Sequence, residues 1–186
     1  MSEPLLRDNA PLLTTERLEL WRPQPGDEPQ MFAIMQDPRT WRYFGATPSR
    51  VDHVTRFMRN AGSWQLHGYG SFMVRSRGEE PVVGNCGVFH TWRGLGEDFD
   101  DKPEAGWIVA ADHAGKGYAR EAMDAALAWF DATHGPREVV CIIHPDNAPS
   151  NKLAGRLGFE PTRLTELAPD NPVQVFSRVA NSPVRT

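Results

Sequence analysis

Gly115-Lys116-Gly117 is the stretch of this sequence whose chemistry is easiest to name. An apolar run at residues 104–109 leads into it, and a long amphipathic segment starts directly after it. A strand, a glycine turn and a helix N-terminus together make a ready site for an anion. The first backbone N–H groups of a helix have no partner inside it, and the helix dipole favours negative charge there. Two nucleotide patterns that use such a turn fail here. The phosphate loop needs a glycine five residues before the Gly-Lys pair and a Ser or Thr after it, but Ala110 and Gly117 stand at those places. The dinucleotide fingerprint fails at Arg120, where its third glycine should be. What survives is a phosphate or pyrophosphate cradle of backbone N–H groups, beside the alternative that the turn is only structural.

Other chemistries lack their residues. The six histidines show no metal-binding spacing, so no metal is expected. No Gly-x-Ser-x-Gly elbow presents a serine nucleophile. The two cysteines, Cys86 and Cys141, sit in apolar runs and read as buried free thiols, which suits a reducing compartment. A net charge of −4 gives no reason to expect nucleic acid as a partner. No apolar run approaches the roughly 18–20 residues of a membrane span. The start, Met1-Ser2-Glu3-Pro4, lacks the basic and apolar parts of a secretory leader, so a cytoplasmic protein is expected.

The elements around the turn follow from periodicity. The 186 residues fit one domain at 13–180, with a loose arm at 1–12 and a tail at 181–186. Leu18–Trp21 alternates and reads as a strand. Asp27 is expected to cap a helix, with Gln30 completing a capping box and Pro38 stopping it. Trp41-Arg42-Tyr43-Phe44 reads as core or as a pocket wall. Thr47-Pro48 is expected to open a second helix whose apolar face is Val51, Val54, Phe57, Met58 and Ala61. Residues 72–74 and 81–89 are predicted strands of a hairpin. The loop at 91–102, with Glu97, Asp98, Asp100 and Asp101, reads as a solvated acidic loop or as an attractive rim for a cationic amine. Residues 118–133 read as a helix burying Ala122, Met123, Ala126, Trp129 and Phe130. The unbroken run 139–143 reads as a strand buried on both faces, parallel to 104–109. Asn147 then caps a short helix, and 162–166 and 173–179 are the last strands.

Taken together, these motifs resemble the GNAT N-acetyltransferase superfamily, and more closely its RimJ/RimL-type branch, which acetylates ribosomal-protein N-termini. Glu104-x-Gly106-Trp107 is similar to that branch's fourth strand. Gly115-Lys116-Gly117-Tyr118-Ala119 is similar to its pyrophosphate loop, and Asn147-Ala-Pro-Ser150-Asn151 with Leu157-Gly158-Phe159 to its second cofactor motif. The resemblance covers residues 13–179 and implies a mixed, mostly antiparallel α/β (α+β) sheet, splayed between two parallel strands and flanked by helices. It further implies acetyl-CoA as co-substrate and a primary amine, of a protein N-terminus or a small molecule, as acceptor.

The resemblance also assigns roles. Val109, Ala110, His113, Ala114, Gly115, Lys116, Gly117, Tyr118, Ala119, Asn147, Ser150 and Asn151 would line the cofactor site. Glu104 would take the amine's proton, with Glu166 a second candidate, and N–H groups near Val109–Ala110 would stabilise the oxyanion. The family's usual Gln or Arg is replaced by Ala114, so the turn is expected to act through its backbone. The usual tyrosine acid is replaced by Ala154, and Ser150 is implied instead. A non-catalytic acyl-CoA-binding module and a nucleotide-binding protein stay open as alternatives. So does the assembly state, a homodimer included.

Overall fold

The computed structural model describes residues 9–179. Most of the expected N-terminal arm and the whole of the C-terminal tail lie outside the described residues. In chain order the elements are β1 (Leu13–Thr14), β2 (Leu18–Trp21), α1 (Asp27–Gln36), α2 (Pro38–Trp41), α3 (Arg50–His67), β3 (Ser71–Ser76) and β4 (Val82–His90). Then come β5 (Pro103–Val109), α4 (Tyr118–His134), β6 (Glu138–Ile143), α5 (Ala148–Arg156), β7 (Glu160–Ala168) and β8 (Asn171–Val179). The strands form one eight-stranded sheet in the order β1-β2-β3-β4-β5-β6-β8-β7. Every neighbouring pair is antiparallel except β5 and β6, which are parallel and joined through α4.

The two faces of the sheet carry different helices. Phe72 and Val74 of β3, Cys86 and Val88 of β4 and Ala105 of β5 pack with Ala122, Met123, Ala126 and Phe130 of α4 and with Ala154 of α5. Met73 and Ile108 point the other way and pack with Met31 and Met35 of α1, Trp41 of α2 and Phe57 of α3. This is the two-residue period of a strand, sorted by layer. Each large side chain so buried stabilises the fold by about 1.5–3 kcal/mol. Gly84 is needed where β4 meets β5. A Cβ there would stand 2.5 Å from the Ile108 carbonyl oxygen.

Several expectations about α1 to α3 are corrected. Asp27 is not a cap: it is the first residue of α1, is 1% exposed, accepts from the Gln24 N–H at 2.8 Å and pairs with Arg75. α1 ends at Gln36, just ahead of Pro38 as expected, but Pro38 then begins a second short helix, α2, because Asp37 accepts from the Arg39 N–H and caps it. Ser49, not Thr47, caps α3 by accepting from the Asp52 N–H. The buried side of α3 is His53, Phe57, Ser63 and Trp64, whereas Val51 is 74% and Met58 64% exposed.

Candidate active site

Between β4 and β5 the register runs unbroken from His90↔Pro103 to Gly84↔Val109, and β6 and β8 pair from Glu138 to Ile143. Between β5 and β6 it holds at Glu104↔Val140 alone. Beyond that pair the two parallel strands separate. A cavity of about 180 Å³ opens there, lined by Trp107 and Ile108 from β5, Ile142 and Ile143 from β6, and Asn147 and Ser150 around the start of α5. Trp41 and Phe44 also line it, so the aromatic segment is both core and pocket wall.

Glu104 sits at the closed end of this wedge and is 3% exposed. Its two carboxylate oxygens each accept from the Arg93 guanidinium at 2.6 Å. A buried carboxylate requires such a partner, and a fork of two parallel hydrogen bonds fixes its orientation. Arg93 is positioned by Asp100, which turns inward and accepts from the N–H groups of Arg93 at 2.8 Å, Gly94 at 3.1 Å and Gly96 at 2.9 Å. Asp98 pairs with Arg163 at 2.6 Å. These two acids of the 91–102 loop therefore neither face solvent unpaired nor offer themselves to a cationic substrate. Glu166 is exposed on β7 and lies outside the cavity, whose lining includes its neighbour Leu167.

Ser150 is held in the first turn of α5. Asn147 caps that helix by accepting from the Ser150 N–H at 3.2 Å. The Trp107 indole N–H donates to the Ser150 hydroxyl at 3.2 Å. An indole can only donate, so the hydroxyl accepts and keeps its own proton for another acceptor. Asn151 donates to the carbonyls of His144 at 3.3 Å and Pro145 at 2.9 Å, tying the β6–α5 turn together. Its buried Oδ1 has no partner among the described residues.

The glycine turn takes the shape an anion cradle requires. Gly115 and Gly117 have φ of 76° and 81°, a region costly for side-chain-bearing residues. Gly117 is the N-cap of α4 and supplies no side-chain cap, so the first N–H groups of the helix point outward. A Cβ at Gly115 would meet nothing within 4 Å. Lys116 and Gly117 are exposed, Tyr118 and Ala119 follow in the first turn of α4, and His113 stacks on Tyr118 with a buried Nδ1 that has no partner among the described residues. The Ala114 N–H returns to the Ala111 carbonyl at 3.1 Å. The Ala110 N–H donates to the Val83 carbonyl at 2.9 Å, so it is not free for an oxyanion. Neighbouring N–H groups on a strand point to opposite sides, and that of Val109 therefore faces the side of the parted strands.

Three arginines of this region carry no sequence motif. One is Arg93, which holds Glu104. Arg17 reaches from before β2 to the glycine turn, donating to the Lys116 carbonyl at 2.8 Å while paired with Glu121 at 2.6 Å. Arg56 of α3 lines the cavity, 5.8 Å from the Trp41 ring. Among the described residues no group of three or more His, Cys, Asp or Glu is arranged to hold a metal ion. Among the described residues no helix is long and apolar enough to cross a membrane.

The family model described as an acetyltransferase (GNAT) domain matches residues 17–160. The chain belongs to the GNAT acetyltransferase family. A solved chain from Bordetella pertussis, assigned to the same family, is 31% identical with a TM-score of 0.79, covering 89% of this chain and 98% of that one. The uncharacterized N-acetyltransferase p20 of Bacillus licheniformis is 25% identical over 150 residues, 80% of this chain and 82% of that protein. RimL, the ribosomal L7/L12 alpha-N-protein acetyltransferase solved with coenzyme A, shares the fold at a TM-score of 0.69 with 15% identity, over 89% of this chain and 95% of that one. These likenesses agree with the GNAT resemblance and with the mixed, splayed sheet.

Proposed function

We propose that this GNAT protein moves an acetyl group from acetyl-CoA to a primary amine by direct attack within a ternary complex. The observation that carries the reading is the parting of β5 from β6, with Glu104 at its closed end and Ser150 in its wall. The open glycine turn and the bare N-terminus of α4 fit a pyrophosphate, and RimL, which shares the fold, was solved with coenzyme A. When bound, the co-substrate supplies a thioester carbonyl for the amine to attack.

The protein's own groups then have separate tasks. The α4 N-terminus holds the diphosphate. The Val109 N–H faces the gap, where it can stabilise a carbonyl oxygen as it gains charge. Glu104 accepts the proton the amine must lose, directly or through a water, since both its oxygens already accept from Arg93. As the C–S bond breaks with the new C–N bond complete, Ser150 gives its proton to the thiolate and takes one back from solvent, to which Glu104 releases the proton it accepted. No acyl-enzyme is expected. Burial pushes the Cys86 thiol up to about 12. Burial, and then the charge of Glu104, push Cys141 well above its ordinary 9.0. Neither thiol is a nucleophile at neutral pH.

The test is thiol release from acetyl-CoA against a library of amines, with coenzyme A affinity measured by calorimetry. Amine-dependent release is the expected result. Tight coenzyme A binding with no release for any amine would identify a non-catalytic binding module instead. An acetylated enzyme trapped without acceptor would overturn direct transfer.

A further inference from the structure

The cavity holds more positive charge than its acids neutralise. Three arginines, Arg56, Arg59 and Arg93, line it or the smaller void of about 40 Å³ beside it, which shares Arg56, Asn85, Phe89 and Ile108 with it. Glu104 is the one carboxylate among the described residues that line the two, and Arg93 already occupies both its oxygens. No described residue accepts a hydrogen bond or forms an ion pair with Arg56. The Arg56 guanidinium lies 5.8 Å from the Trp41 ring, and Asn85, on the shared wall, spends its amide on the Phe72 carbonyl at 3.1 Å. A guanidinium presents five donors in a planar fork, and leaving them unpaired in a partly dry cavity is costly.

Resting on the acetyltransferase reading, we infer that Arg56, with Arg59 beside it, is an anion subsite for the acceptor, and that the acceptor is a small amine carrying its own carboxylate or phosphate. Of the acidic loop, which the sequence allowed as an attraction for cations, Asp98 is spent on Arg163 and Asp100 on backbone N–H groups, and Glu97 and Asp101 are exposed outside the lining, so the charge an incoming molecule meets inside the cavity is positive. Burial pushes the Arg56 guanidinium down to about 10, with the charges of Arg93 and Arg59 acting in the same direction, and a bound anion relieves that strain. The same cations disfavour an ammonium and favour the free amine that must attack. The subsite thereby holds one end of the acceptor and helps deprotonate the other.

The experiment compares matched acceptors in the thiol-release assay: amino carboxylates against their carboxamides, aminoalkyl phosphates against the corresponding amino alcohols, and polyamines and neutral peptide N-termini as uncharged or cationic controls. We expect at least a tenfold higher kcat/KM for the anionic member of a pair. In Arg56→Gln that ratio is expected to fall below threefold, through KM more than kcat, and Arg56→Lys is expected to restore part of it. Glutarate, which has no amine, is expected to compete with the acceptor and not with acetyl-CoA in the unmutated protein, a readout independent of whether the variants fold. Phosphates outrunning carboxylates would identify the anion and support the subsite. Amine acetylation with equal rates within each pair, or fastest with polyamines or neutral peptides, overturns the subsite and leaves the transferase reading standing. Absence of both coenzyme A binding and thiol release overturns the transferase reading itself.

Discussion

Arg93 holds Glu104 by both carboxylate oxygens, Nε and Nη2 each lying 2.6 Å from a different one. Glu104 is thus fixed in direction as well as in charge, at the one point where β5 and β6 still pair. Replacing it by glutamine removes the charge that Arg93 balances, and breaking a buried pair of this kind costs about 3 kcal/mol. In the transfer assay, Glu104→Gln should slow the reaction most at pH 7, where an α-amine of pKa about 8 or a lysine of about 10.4 is largely protonated. The loss should shrink as the pH rises and the amine deprotonates unaided. A loss that is uniform across pH would assign Glu104 to positioning Arg93.

Ser150→Ala should lower kcat by on the order of a hundredfold, the lower range for removing a general acid. It also leaves the Trp107 indole without its acceptor. Ser150→Thr keeps a hydroxyl at the site and should recover most of the rate. Full activity in the alanine variant would transfer the proton-donating role elsewhere.

Gly117→Val should weaken coenzyme A binding at least tenfold by calorimetry. The residue would need a φ of 81°, which a β-branched side chain rarely adopts, and its Cβ would sit 3.4 Å from the Arg17 guanidinium. Unchanged affinity would refute the cradle at the start of α4.

Asp100 gives the 91–102 loop a pH dependence. Burial alone would raise its carboxyl, but the N–H groups of Arg93, Gly96 and Gly94 outweigh that and hold it below 3.8. The folded value lies below the unfolded one. The stabilisation is therefore complete above the ordinary value and is lost as the pH falls through the folded value. Acid unfolding followed by tryptophan fluorescence should show Asp100→Asn converging with the unmutated protein at low pH, after starting less stable near neutrality. Asp100→Asn should also slow acetyl transfer, because Arg93 loses its anchor.

The outward side of α3 is a test of packing. Met58→Lys should change stability by less than about 0.5 kcal/mol, whereas Phe57→Ala should cost about 3 kcal/mol in urea unfolding. The sequence assigned both residues to one buried face. Helical spacing identifies apolar positions but not which of them meet the sheet. His53 and Trp64 won that side: the His53 ring nitrogen bonds the Glu28 carbonyl at 3.1 Å, and the Trp64 indole donates to the Ser71 carbonyl at 3.1 Å.

Elsewhere the sequence was legible where its signals are local. The hairpin of β3 and β4, the β5–α4–β6 unit and the Asn147 cap all follow from alternation, glycine turns and capping within a few residues. The glycine turn and Ser150 were legible through their motifs. Arg17, Arg56 and Arg93 were not. Arg17 and Arg93 find their partners Glu121 and Glu104 in other elements, Arg56 has no ion-pair partner among the described residues, and an isolated arginine in a helix or loop has no pattern. The Ala110 N–H was misjudged for a related reason: which side of a strand it faces depends on the register with β4.

Where β5 and β6 part, the sheet is missing the rungs of a ladder. On the proposed function, acetyl-CoA lies in that seam only in the folded chain, and so holds the chain folded. At a hundred times its Kd such a ligand adds about 2.7 kcal/mol, enough to reduce the unfolded fraction roughly a hundredfold. When the donor is scarce, the same chain opens more often and meets proteases more often. The lifetime of the protein then becomes a slow gauge of donor supply, set by two strands that stay paired only at Glu104 and Val140.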